Sequence, residues 1–100
     1  MHTLTPSAVS GAATNSFHLT HNSKVWLHVV SATNYTALDM QKSIDGGTTY
    51  SDFYPDGELE TFTGETTKLY DLPAGWHYRL DATSATGVSV YVGGNAVVLD

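Results

Sequence analysis

The strongest hydrophobic pattern in the chain lies in residues 24–31, where Val25, Leu27 and Val29 alternate with Trp26, His28 and Val30. In a strand, successive side chains point to opposite faces, so a period of two reads directly as an extended segment. Apolar residues on both faces predict a strand between two packed surfaces, or one covered outside by another segment or a partner. Residues 76–83 set Trp76, Tyr78, Leu80 and Ala82 against His77, Arg79, Asp81 and Thr83, the alternation of a half-buried strand. Val88, Val90 and Val92 alternate with Ser89 and Tyr91 in the same way. Shorter strands are expected at residues 15–20 (through Phe17 and Leu19), 59–63 and 67–72, with a final edge strand at 96–99.

Turn signals punctuate these runs. Asp45-Gly46-Gly47 separates residues 36–44 from residues 48–53, and Asp-Gly and Gly-Gly supply the positive φ that tight hairpins need. Tyr54-Pro55-Asp56-Gly57, Pro73-Ala74-Gly75 and Gly93-Gly94-Asn95 are further breaks. No stretch carries a helical stripe. The pattern predicts an all-β chain, a single antiparallel β-sandwich or jelly-roll-like barrel of about eight short strands. Residues 1–14, rich in Ser, Thr, Ala and Gly, read as an extended N-terminal arm, and residues 15–100 as the sandwich domain.

Composition sharpens this picture. The chain has 100 residues with no compositional break, which predicts one domain. Charged residues make up 14%, well below the usual ~25%, and Thr, Ser, Asn and Tyr take the polar positions. Uncharged β-formers suit strands lying against another surface, because less charge is desolvated on contact; a Thr-rich β-protein with no such role fits equally well. A net charge of −6, with only Lys24, Lys42, Lys68 and Arg79 as cations, argues against nucleic acid. The absence of Cys removes disulfide and thiol chemistry. The N-terminus shows no basic and apolar signal pattern and the apolar runs are short, so the expectation is a soluble protein made in the cytoplasm, with no membrane partner. Asn34-Tyr35-Thr36 matches a glycosylation acceptor, which in that setting reads as a chance match.

Met40-Gln41-Lys42-Ser43-Ile44-Asp45-Gly46-Gly47-Thr48-Thr49-Tyr50, then Leu72-Pro73-Ala74-Gly75-Trp76-His77-Tyr78-Arg79-Leu80 and Gly87-Val88-Ser89-Val90-Tyr91-Val92-Gly93-Gly94, carry a resemblance. Together they resemble the small β-sandwich structural proteins of tailed bacteriophages, including capsid decoration (cement) proteins and modules of tails and fibres. The resemblance spans residues 24–94. It implies no catalytic residues and no cofactor. It implies a virion location on the capsid surface, the major capsid protein as partner, and self-association, by analogy as a trimer.

The residues themselves offer little chemistry. His18 and His21 are the closest histidine pair, but positions i and i+3 of a strand face opposite ways, so a metal site would need His21 in a turn; surface histidines are the expectation, and no metal is assigned. Asp52, Asp56, Glu58 and Glu60 surround the Tyr54–Gly57 turn without calcium-loop spacing, and read as a solvated acidic turn rather than a glycosidase pair. No Ser lies in a nucleophile elbow and no Cys is present, so no enzyme is expected. Contact candidates are Thr3, Leu4, Thr5 and Val9 of the arm, and the turn-flanking aromatics Tyr50, Phe53, Tyr54 and Trp76. Three classes compete: a capsid decoration protein, with a tail or neck component as its nearest rival; a carbohydrate-binding host-recognition module using the same aromatics; and, last, a small hydrolase on the carboxylate cluster.

Overall fold

A computed structural model of the chain describes residues 2–4, 12–33, 38–62, 66–82 and 86–100. These form strands β1 (His2–Leu4), β2 (Ala12–Ala13), β3 (Phe17–Leu19), β4 (Ser23–Thr33), β5 (Leu38–Ser43), β6 (Ser51–Asp52), β7 (Thr61–Phe62), β8 (Thr66–Leu72), β9 (His77–Ala82), β10 (Thr86–Gly93) and β11 (Val97–Leu99). Every pairing is antiparallel. A four-stranded sheet has the order β1-β10-β4-β8; a seven-stranded sheet follows β11-β3-β9-β5-β6, with β2 also on β9 and β7 also on β5. The chain alternates between the sheets: β1, β4, β8 and β10 belong to one, and β2–β3, β5–β7, β9 and β11 to the other. That path, with the first strand beside the tenth, makes the β-sandwich a jelly-roll type.

The core forms where the alternating runs face each other. Val25, Leu27 and Val29 of β4, Val90 and Val92 of β10 and Leu72 of β8 come from one sheet. Phe17, Leu19, Leu38, Met40, Phe62, Tyr78, Leu80 and Val97 come from the other. Phe17 and Phe53 both meet the ring of Tyr78, with centroids 5.5 and 6.0 Å apart. Such tilted and edge contacts add to the area these rings bury. The outer side of β4 is covered differently. Trp26 lies opposite Gly93 of β10, and a Cβ on Gly93 would fall inside the indole ring. Glycine there lets the indole lie flat on the sheet.

The expected hairpin is present, with a wider loop than a two-residue turn. β5 pairs with β6 through Gln41–Asp52 and Lys42–Ser51, and residues 44–50 connect them. Gly46 and Gly47 take φ values of 78° and 91°. The buried Ser43 hydroxyl donates to Asp45 Oδ1 (2.6 Å) and accepts the Gly47 N–H (2.9 Å), and Asp45 Oδ1 accepts the Thr49 N–H (2.9 Å). These hydrogen bonds, Ser43 foremost and then Thr49, bring the Asp45 carboxyl down to about 2. Wrapping the loop around one carboxylate shortens β6 to two residues.

The pattern left the partners of other strands open. The strands expected at residues 59–63 and 67–72 do not pair with each other: β7 joins β5 and β8 joins β4, so the chain crosses between the sheets there. The N-terminal segment supplies two short strands, β1 against β10 and β2 against β9. Thr14 continues the second contact, its N–H donating to Leu80 O at 2.8 Å and its hydroxyl accepting Leu80 N–H at 3.0 Å. Asn34-Tyr35-Thr36 lies outside the described residues.

Candidate interaction surface

β8 controls what the outer face of the four-stranded sheet presents. It is an edge strand, and its alternation turns Lys68, Tyr70 and Leu72 inward and Thr67, Leu69 and Asp71 outward. Leu69 is 76% exposed. Register places it beside Trp26, and Thr67 beside His28. These four residues line an open groove of about 420 Å³. His28 Nδ1 and Thr67 Oγ1 are hydrogen-bonded, which holds one wall. Lys24 and Asp71 form an exposed ion pair at 3.2 Å farther along the same two strands. An apolar floor beside a solvated ion pair suits protein contact, because it releases water on burial.

Lys68, facing inward, closes the side of the sandwich. Its ammonium reaches Glu60 Oε1 at 2.8 Å and Thr61 O at 2.6 Å, and stands 4.8 Å from the Phe62 ring centroid. Burial, then the neighbouring Glu60 carboxylate, push the Tyr70 hydroxyl far above the ordinary tyrosine range.

The aromatic contact residues expected from sequence meet different fates. Tyr54 is 55% exposed at the Pro55–Gly57 turn. Tyr50 is half-buried beneath the Arg79 guanidinium, 3.9 Å from its ring centroid, while Arg79 Nε donates to Gln41 Oε1 at 2.8 Å. Trp76 packs on the core with the Lys42 ammonium 4.4 Å from its ring centroid. Phe53 is a correction: it is buried, its ring tilted against Tyr70 and edge-on to Tyr78, and offers no contact surface. The loop after β6 turns it inward, as its N–H bonds Met40 O and its carbonyl accepts Glu60 N–H. Thr3 and Leu4 lie in β1 opposite Tyr91 and Val90; Thr5 and Val9 lie outside the described residues.

The acidic turn does not act as one cluster. Glu60 is taken by Lys68, Asp52 accepts from Gln41 Nε2 at 3.5 Å, and Asp56 and Glu58 are exposed. Asp39 pairs in register with Asp81, and burial followed by the Asp52 and Asp81 charges pushes its carboxyl up.

His21 lies in a bend beyond the strand that carries His18 and does not join it in a cluster. His21 sits past β3, its ring nitrogen 3.1 Å from the Thr20 hydroxyl. His18 instead lies opposite His77 of β9, and both rings contact the Asp100 carboxylate. Partial burial raises the Asp100 carboxyl, but hydrogen bonds from Ser16, His77 and His18 outweigh it and leave it below the usual range.

The sequence pattern assigns no faces to the Thr-Thr-Lys-Leu-Tyr-Asp-Leu run, so the Trp26–Leu69 patch is not visible in it. The signal that could have found it is the period of two, which lets only one of Leu69 and Leu72 face the core; Leu72 shares its face with Tyr70. No protein family, curated protein or solved structure matches the chain.

Proposed function

We propose that this protein is a non-enzymatic structural module, a capsid decoration protein that binds the outer shell of a tailed phage and stabilises it across capsomer seams. The observation that carries the reading is the apolar patch around Leu69 and Trp26, exposed on the outside of the four-stranded sheet. Burying a leucine side chain contributes about 1.5–3 kcal/mol. The hairpin and closing-strand motifs support the phage assignment by resemblance. Jelly rolls also recur in viral capsid and lectin domains, an argument by fold analogy. A ligand that binds only the assembled shell stabilises it by mass action, and self-association as a trimer adds avidity. The partner is then the major capsid protein, and the location the virion surface.

The copy number in purified particles, measured by quantitative mass spectrometry against the shell protein, tests this reading. Abundance comparable to the shell protein is expected; a handful of copies moves the protein to the tail or neck, and absence overturns the virion reading. Leu69→Lys keeps the fold, because the side chain is solvated, and lowers particle occupancy at least tenfold if this face docks. Exposed Tyr54 beside acidic residues favours a second reading, a carbohydrate-binding module. A glycan array bound by the native chain and not by Tyr54→Ala would establish it.

A further inference from the structure

Ser16 and His18 of the β3 segment, His77 of β9 and Asp100 after β11 meet on the outer face of the seven-stranded sheet, away from the Leu69 patch. β3 lies between β9 and β11, so register alone brings the three strands' side chains together: His18 is opposite both His77 and Val98. The Asp100 N–H donates to Ser16 O at 3.0 Å, which continues the β11–β3 ladder by one residue and aims the carboxylate at the histidines. His18 Nδ1 is 2.5 Å from Asp100 Oδ1, and His77 Nδ1 is 2.6 Å from Asp100 Oδ2. The imidazole centroids are 5.0 Å apart. The three side chains retain 34%, 23% and 25% of their exposure, so the site is sheltered yet open to solvent.

We propose that His18, His77 and Asp100 form a binding site for a divalent transition-metal ion of the zinc class. Two imidazole nitrogens and one carboxylate oxygen lie within 4.8 Å of one another. Zinc bonds of about 2.0–2.2 Å bring such donors about 3.4 Å apart, a side-chain adjustment of about 1 Å. The ion takes the Nδ1 lone pair of each ring, so the Nδ1 protons now shared with Asp100 are given up, and each neutral ring keeps its remaining proton on Nε2. Nitrogen donors select a transition ion over calcium or magnesium. Ser16 Oγ donates to Asp100 Oδ2 at 2.6 Å and orients the carboxylate from outside the ligand set. Three protein ligands leave a fourth position for water. The ion would cross-link three strands whose residues are far apart in sequence, and so resist unfolding as well as bind. This site is independent of the docking surface.

The 100-residue chain, freed of metal with a chelator, is titrated with Co²⁺ by visible absorption and with Zn²⁺ by calorimetry. The expected result is one ion per chain, tetrahedral cobalt bands displaced by zinc, and a higher melting temperature with zinc. His77→Gln lowers zinc affinity roughly a hundredfold and Ser16→Ala roughly tenfold, while His21→Gln leaves it unchanged. Circular dichroism checks that His77→Gln is folded; should it not be, Asp100→Asn gives the same readout. No stoichiometric binding, or equal binding by the native chain and a folded His77→Gln or Asp100→Asn variant, overturns the site and leaves a hydrogen-bonded triad only.

Discussion

Single residues in this fold do work that their identities alone do not announce. Gly93 is required because the Trp26 indole occupies the space of a Cβ. Gly93→Ala is expected to cost about 1–3 kcal/mol in urea unfolding, the range for overpacking, and less in a Trp26→Leu background, since the two side chains compete for one volume. Asp45 organises residues 44–50 through Ser43, Gly47 and Thr49. Its folded pKa of about 2 lies below the unfolded value of about 3.9. A depressed carboxylate stabilises the fold above its unfolded pKa and loses that contribution as pH falls towards its folded one. Asp45→Asn therefore destabilises the protein at pH 6, and the difference from the native chain shrinks as pH is lowered from about 4 to about 2. Equal deficits at both ends of that window would contradict this account.

At the scale of elements, β8 gives one face to each of two tasks. Its inward Lys68 joins the two sheets through Glu60 and Thr61, and its outward Leu69 builds the exposed patch. Lys68→Met keeps much of the volume but leaves the half-buried Glu60 carboxylate without its cation. The expected loss is about 1–2 kcal/mol by urea unfolding, less than for a fully buried pair because both partners remain partly solvated. Adding Glu60→Gln should recover part of it. β4 shows the same division on a longer strand, with Val25, Leu27 and Val29 buried and Trp26 seated on β10.

For the whole molecule, the decisive property is that neighbours in space are distant in sequence. β1 pairs with β10, β3 with β9 and with β11. Forming these ladders requires closing long loops before their contacts reward it, so folding is expected on the millisecond-to-second scale rather than in microseconds. Stopped-flow fluorescence, reading Trp26 and Trp76, checks this; a sub-millisecond native signal would contradict it.

Alternation at residues 24–31 and 76–83 and the Gly-containing turns made the all-β sandwich legible from local pattern, because side-chain period and positive φ are properties of a few adjacent residues. Local pattern could not assign β7 and β8 to different sheets, since two short strands either pair or separate with the same alternation. Nor could it bury Phe53, whose direction is set by backbone bonds to Met40 and Glu60. The sequence by itself determined the class of fold and its low charge. Tertiary structure alone decided that Leu69 faces outward beside Trp26, and that His18 meets His77 and Asp100 rather than His21. Those groupings depend on register between strands up to 82 residues apart, and register follows from how the whole chain closes its core.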